Sequence, residues 1–260
     1  MKPIVKYQGG KTKELKKIVP MLPKYTRMVE PFAGGAAVAF NQEKDMWLND
    51  INHSLMNMYR VVASDDYYQL REQIDLLRSM EHDELEKEFY KARDVINSTD
   101  VEEVLWAKSY IVVRQLCYSG MERYNSSGEF NVPFGHYKKF ACSLSDDHHN
   151  LLSKSTITLL SAIDVINNAV EGDFLFIDPP YLDRAGYTNG DGGKLHNDLH
   201  VALTQTSVPW LIVHSDNEFY RDMYSEYITL EKDFQYAQRW GSGEYQSKVK
   251  HLYITNYVDK

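Results

Sequence analysis

The run Phe174-Leu175-Phe176-Ile177 stops at Asp178-Pro179-Pro180-Tyr181, and no other stretch constrains this chain as tightly. Consecutive apolar residues suit a strand buried on both faces. Two prolines fix φ and remove backbone donors, so neither helix nor ladder continues past them. The strand ends in a rigid turn. In an open α/β sheet that end faces the crevice where ligands bind, and the turn presents a carboxylate, a proline carbonyl and an aromatic face. A planar exocyclic amine stacked on Tyr181 can donate one hydrogen to Asp178 and the other to the Pro179 carbonyl. Those bonds draw the nitrogen lone pair out of conjugation and aim it at an electrophile, as N-methylation of an adenine requires. A plain strand-to-loop corner uses the same residue types, but the full tetrapeptide after a buried strand is uncommon.

Short apolar strands alternate with helical patterns elsewhere, which predicts a largely parallel sheet with helices on both faces. The strands are expected at 27–30, 46–49, 156–160, 174–178, 210–214, 227–230 and 251–257, the last two as an antiparallel edge pair. Between the second and third lies a segment too long for a crossover, helical in spacing over roughly 54–118, which reads as a subdomain. It closes on Asn125-Ser126-Ser127-Gly128, a turn signal between 121–124 and 129–132, hence a hairpin.

A net charge of -8 argues at first against a nucleic-acid partner. Its distribution argues the other way. Residues 1–17 carry Lys2, Lys6, Lys11, Lys13, Lys16 and Lys17 against Glu14 alone, and 106–140 carry Lys108, Arg114, Arg123, Lys138 and Lys139 against Glu122 and Glu129. Acid gathers instead in 65–103 and 164–233, so one basic face can meet a polyanion. There is no apolar leader and no run long enough to span a membrane. Cys117 and Cys142 form no metal or disulfide pattern and suit a reducing cytoplasm.

Directly after the first strand stands Glu30-Pro31-Phe32-Ala33-Gly34-Gly35, whose glycines allow close backbone approach to a ligand. The second strand ends at Asn49-Asp50, where doubly wound folds hydrogen-bond a ribose diol. Without a full Gly-x-Gly-x-x-Gly or a pyrophosphate site, the pair fits S-adenosylmethionine better than a dinucleotide. Lys6-Tyr7-Gln8-Gly9-Gly10-Lys11 evokes a phosphate loop but lacks its spacing and a preceding strand.

Taken in order, Lys-aromatic-x-Gly-Gly-Lys, Pro-Phe-x-Gly-Gly, Asn49-Asp50, a helical insert with Arg123-Tyr124-Asn125 and Phe130-Asn131-Val132-Pro133-Phe134-Gly135, and Asp-Pro-Pro-Tyr resemble the Dam family of DNA adenine-N6 methyltransferases, alpha class. The resemblance runs from residue 4 to about 190. It implies that Asp178, Pro179 and Tyr181 are catalytic. Tyr7, Lys11, Phe32, Gly34, Asp50, Asp164 and Asp178 would line the S-adenosylmethionine site. Lys6, Tyr118, Met121, Arg123, Asn125 and Pro133 would meet double-stranded DNA, with Lys6 on the outer guanine of a GATC site. Tyr187 and Thr188 would cover a flipped base. His136 stands where family members often carry Arg, and Ser119 where Asn is frequent.

Plainer readings stand beside these. Tyr118 and Met121 could be core residues, Arg123 a salt-bridge residue and Lys11 solvated. Asp50 and Asp164 could be helix caps. His196 and His200, four apart, fit an exposed helix face rather than zinc; His148-His149 reads as surface and 189–193 as a loop.

The expectation is a Rossmann-like S-adenosylmethionine-dependent methyltransferase with an inserted helical target-recognition subdomain and β-hairpin. Its catalytic domain is 1–53 with 154–260, its recognition subdomain 54–153, its hairpin near 119–135. It would act without a metal, in the cytoplasm and plausibly as a monomer, on adenine N6 in duplex DNA. Cytosine N4 usually goes with Ser at position 178 and a glutamine amide with Asn, so Asp178 favours adenine. RNA adenine and a DNA-binding relative without activity are the alternatives, and decay of Asp178, Tyr181 or 31–35, the mark of the latter, is absent.

Overall fold

The computed structural model describes residues 1–182, 193–234 and 249–257. Within these, the strands in chain order are β1 (Arg27–Glu30), β2 (Met46–Asn49), β3 (Thr156–Thr158), β4 (Asp173–Ile177), β5 (Trp210–Ser215), β6 (Ile228–Phe234) and β7 (Val249–Thr255). The helices are α1 (Leu15–Ile18), α2 (Ala37–Gln42), α3 (His53–Ala63), α4 (Tyr67–Leu77), α5 (His82–Ile96) and α6 (Glu103–Leu116). They continue with α7 (Asp146–Leu152), α8 (Ala162–Asn167), α9 (Lys194–Gln205) and α10 (Glu218–Met223). The chain forms two compact units, one of Met1–Pro20 with Ala33–Leu160 and one of Met21–Phe32 with Ser161–Lys260. The boundaries expected at 53 and 154 do not coincide with these, because α3 packs on α6, α7 and β3 and draws β2 and β3 to the helices.

In the first unit β2 and β3 pair in parallel, with Trp47 opposite Thr156 and Asn49 opposite Thr158. Asn49 is fully buried and ties the ends of both strands: its Nδ2 donates to the Leu160 carbonyl, and its Oδ1 accepts from Thr158 Oγ1 and Leu160 N. A buried amide in a strand needs such partners, since leaving one unmet costs about 1–3 kcal/mol. α6 is the hub of the helical part, against α3, α4 and α5. Its near-continuous apolar run 110–113 explains why it is buried on nearly every side.

In the second unit the strand order is β1-β4-β5-β7-β6. β4 lies parallel to β1 and to β5, while β7 enters antiparallel between β5 and β6. The apolar run 174–177 is buried throughout, as expected of a strand with neighbours on both sides. Asp173 opens it and is held by a two-pronged bond from Arg27 Nε and Nη2, both 2.8 Å. β3 is shorter than expected, ending at Thr158, because Leu159 and Leu160 turn outward; β6 and β7 both begin or end beyond their expected limits.

Candidate active site and nucleic-acid interface

Gly34 is the centre of the first unit's site. Its φ is +46°, and a Cβ there would stand 2.9 Å from Tyr7 ring atoms, so backbone strain and space both demand glycine. Its N–H donates to Asp50 Oδ2 at 2.9 Å, and its carbonyl accepts from the Tyr59 hydroxyl at 2.8 Å. Asp50 Oδ1 accepts from Asn52 N at 3.0 Å. With the backbone of Ile51 also bonded to it, the carboxylate meets three backbone donors and retains capacity for a further one. Burial raises the Asp50 pKa, the backbone bonds from Gly34, Asn52 and Ile51 oppose the rise, and nearby Glu122 adds to it. The cap alternative for Asp50 does not hold, because Asn52 caps α3 by accepting from Leu55 N.

Tyr7, Gly34 and Asp50 therefore meet. Lys11 is buried rather than solvated, 4% exposed, with Nζ donating to the Gly9 carbonyl at 2.9 Å. A cleft of about 710 Å³ opens beside Tyr7, lined by Lys2, Lys6, Gly10, Gly35, Arg78 and Cys142 among others, with no carboxylate in its wall. Phe32, half-buried, and Asp164, exposed, belong to the second unit. Asp164 is not the cap of α8: Ser161 Oγ is, accepting from Asp164 N at 3.1 Å.

The turn after β4 forms the second unit's site. Asp178 is half-buried, while Pro179 and Tyr181 are buried. The Tyr181 ring packs on His214, and His251 meets it at 5.7 Å with the two rings nearly perpendicular. Behind them His196 Nδ1 meets the Tyr220 hydroxyl at 2.7 Å, and burial lowers the His196 pKa. His196 is therefore a core residue and His200 half-buried against Tyr224, not an exposed helix face. His148 is also buried, its Nε2 donating to the Lys2 carbonyl, and His149 stacks on Tyr67. Among the described residues no three His, Cys, Asp or Glu are placed to hold a metal ion. Tyr187, Thr188 and 189–192 lie outside the described residues.

Tyr118 follows α6 and is 55% exposed; Met121 is half-buried, and neither sits in the core. Exposed aromatic surface of this kind can stack on or wedge into bases. Tyr118 N donates to the Pro133 carbonyl, and Pro133 itself is exposed. The hairpin is present as the bridge Tyr124–Phe130, with Asn131 N donating to the Arg123 carbonyl. Arg123 makes no salt bridge among the described residues. Its Nε and Nη2 donate to the Asn131 side chain and carbonyl at 2.7 and 3.2 Å, and Nη1 has no partner among the described residues. Asn125 serves its own turn: Oδ1 accepts from Ser127 N and Glu129 N, and Nδ2 donates to Glu129. Lys6 Nζ donates to the Gln115 carbonyl at 2.7 Å and lies 3.9 Å over the Tyr137 ring.

Two residues counted above only as charges are structural. Arg114 is wholly buried and Lys108 is paired with Glu88, so the basic surface of 106–140 comes down to Arg123, Lys138 and Lys139. Arg114 donates to the carbonyls of Lys6, Gly120 and Met121, and its Nη1 lies 3.2 Å from Glu122. A charge inside the apolar run 111–116 is the sequence signal that a partner must exist. Likewise His214, closing the apolar strand 210–213, marks the support under Tyr181.

A family model described as D12 class N6 adenine-specific DNA methyltransferase matches residues 7–238. The chain is similar to the type II methyltransferase M.CviBI of Paramecium bursaria Chlorella virus NC1A, 35% identical over 99% of this chain and all of that one. It is also similar to the type II methyltransferase M.MjaIII of Methanocaldococcus jannaschii, 34% identical over 70% of this chain and 69% of that protein. The DNA adenine methylase of Serratia marcescens is 31% identical over 85% of this chain and 86% of its own length.

Proposed function

The chain belongs to the D12 class N6 adenine-specific DNA methyltransferases, and on that premise we propose that it moves a methyl group from S-adenosylmethionine to N6 of an adenine flipped out of duplex DNA, within GATC. It is an adenine-specific DNA methyltransferase of the Dam-like group, with the mixed α/β fold of S-adenosylmethionine-dependent methyltransferases. The observation that carries the mechanism is Asp178 in front of Pro179-Pro180-Tyr181 at the end of the buried strand β4.

The donor set fits S-adenosylmethionine. Gly34, at a φ that glycine adopts without strain, packs its backbone under the Tyr7 ring and donates its N–H to Asp50, and Asp50 keeps acceptor capacity for a ribose diol. Tyr7, Lys11, Phe32, Asp164 and Asp178 complete the group assigned to it. The bound sulfonium supplies an electrophilic methyl group. With both ligands bound, Asp178 and the Pro179 carbonyl would accept the two amine hydrogens and Tyr181 would stack on the base. The nitrogen lone pair is thereby freed to form the N–C bond as the sulfonium S–C bond breaks, one amine proton being released afterwards. Such preorganised contacts act through position and electrostatics. No covalent enzyme intermediate is required.

Residues 54–153 are assigned to target recognition and 1–53 with 154–260 to catalysis. Tyr118, exposed, and Met121, half-buried, are the residues assigned to displacing a base. Arg123 offers Nη1 to a guanine edge and Lys6 its ammonium. Asn125 and Pro133 shape the hairpin that presents them. The test is tritiated S-adenosylmethionine incubated in parallel with duplex DNA, RNA and protein, followed by single-molecule mapping of methylated adenines. Label confined to duplex DNA, at adenines within GATC, is expected. Label in RNA or protein, or at another motif, overturns the corresponding part.

A further inference from the structure

A continuous set of hydrogen bonds joins the recognition segment to the Asp50 loop, all within the first unit. Arg114, fully buried, holds the carbonyls of Gly120 and Met121 at 3.2 and 3.1 Å and reaches Glu122 Oε2 at 3.2 Å. Glu122 Oε1 accepts from Asn52 Nδ2 at 3.0 Å and from the Tyr124 hydroxyl at 2.9 Å. Asn52 N donates to Asp50 Oδ1, and Asp50 Oδ2 accepts from Gly34 N. A second path closes the ring. Arg114 also binds the Lys6 carbonyl, its guanidinium carbon lies 5.4 Å from the Tyr7 ring centroid, and that ring packs on Gly34.

We propose that Asn52 and Glu122 are positioning residues that couple the DNA-reading hairpin to the methyl-donor loop, so that each ligand strengthens the binding of the other. This rests on the reading above, in which the hairpin meets DNA and Asp50 meets the donor.

The physical argument is one of shared partners. The Arg114 charge has no water to solvate it, so Glu122 must stay within reach of it and cannot follow the hairpin freely. A displacement of 120–122 on DNA is therefore passed to Asn52 rather than absorbed. Asn52 has nowhere to move independently, because its Oδ1 is fixed to Leu55 N at the start of α3 and its N–H to Asp50. Hydrogen-bonded groups of this kind strengthen together when every member is satisfied. Coupling between two ligands is reciprocal by linkage, which gives the proposal a thermodynamic readout.

Asn52→Ser is the decisive variant. Serine retains the side-chain acceptor that caps α3 but deletes the donor to Glu122, which keeps Arg114 and Tyr124. The measurement is calorimetric titration with S-adenosylhomocysteine, an unreactive analogue of the donor, with and without saturating duplex carrying the preferred site. For the native chain, the analogue is expected to bind about fivefold more tightly or better with DNA present. In Asn52→Ser that factor should fall toward one while each ligand alone keeps its affinity within about twofold, a range well inside ordinary single-contact effects. The proposal is overturned if the native chain shows no coupling, if the factor survives in Asn52→Ser, or if both affinities fall together with the factor unchanged. Asp50→Ala and Arg123→Ala separate this from failure of the underlying reading. If Asp50→Ala leaves analogue binding intact, or Arg123→Ala leaves DNA selectivity and affinity intact, it is the site assignment that has failed.

Discussion

The ring of Tyr181 lies 4.6 Å from that of His214, tilted by 46°, and His214 in turn stacks on Tyr220 at 3.7 Å and 10°. Aromatic pairs at such separations add about 0.5–1.5 kcal/mol beyond their buried area. The aromatic ring of the turn after β4 is thus backed by a second ring and a third, rather than hung on a loop. Under the proposed function, that support would set where a base stacked on Tyr181 lies relative to Asp178.

Asp178→Ala should abolish methyl transfer while the protein stays folded. It removes an acceptor that acts on the reacting amine, a loss of about a hundredfold or more. Steady-state methylation of a duplex together with a thermal melt checks both halves. Weaker donor binding is compatible with this role, near-normal turnover is not.

Asp50→Ala should weaken donor binding by about 1.5–3 kcal/mol, the worth of a hydrogen bond to a charged group. pH gives a second handle. Burial holds the Asp50 carboxyl above its ordinary value of about 3.9, so it takes up a proton sooner than a surface aspartate as pH falls. The protonated form is the poorer acceptor, so donor affinity should decline as pH falls, sooner than it would with an ordinary aspartate, and Asp50→Asn should lack that decline. Stability runs the opposite way. With the folded pKa raised, Asp50 contributes most to stability below its unfolded value, and that contribution is lost as pH rises through the folded one. Calorimetry across the range decides it: a flat native profile sinks the assignment.

Gly34→Ala should cost about 1–3 kcal/mol of stability, from a non-glycine residue forced near φ +46° and a methyl group 2.9 Å from the Tyr7 ring. Tyr7→Ala in the same chain removes the steric part but not the backbone part. The double variant should therefore lose less than the sum of the two singles. Strict additivity in denaturant melts would mean that the ring does not press on this site.

Arg123→Ala should relax discrimination at one base pair by about 1–3 kcal/mol. Methylation rates on the preferred duplex and its single-base variants, at two salt concentrations, test this. A uniform loss on all duplexes with a shallower salt dependence would make Arg123 a phosphate contact instead.

Much of this was legible in the residues, and the gaps have physical causes. β1 and β2 fall at their expected limits because apolar runs bounded by turn formers leave little choice of end. The end of β4 is read from two prolines whose effect on the backbone is local. Tyr118 could not be separated from a core residue by sequence, because its exposure depends on where α6 ends against the Pro133 carbonyl. His196 and His148 were misread as surface for a related reason. A histidine on a helix is buried only when a distant partner satisfies it, here Tyr220 and the Lys2 carbonyl. The Arg114–Glu122 pair spans eight positions of sequence that count as basic and acidic surface until α6 is packed.

The hairpin's internal bonds bear on how a target is read. Asn125 closes its turn, and Asn97 grips Phe130 from both sides, donating to its carbonyl and accepting from its N–H at 3.1 and 2.7 Å. If the hairpin reads DNA as proposed, it is already held in shape and has little conformational freedom left to surrender on association. Right and wrong sequences are then separated by fit against a fixed template, since neither has to meet the ordering entropy of a loop that folds around its ligand.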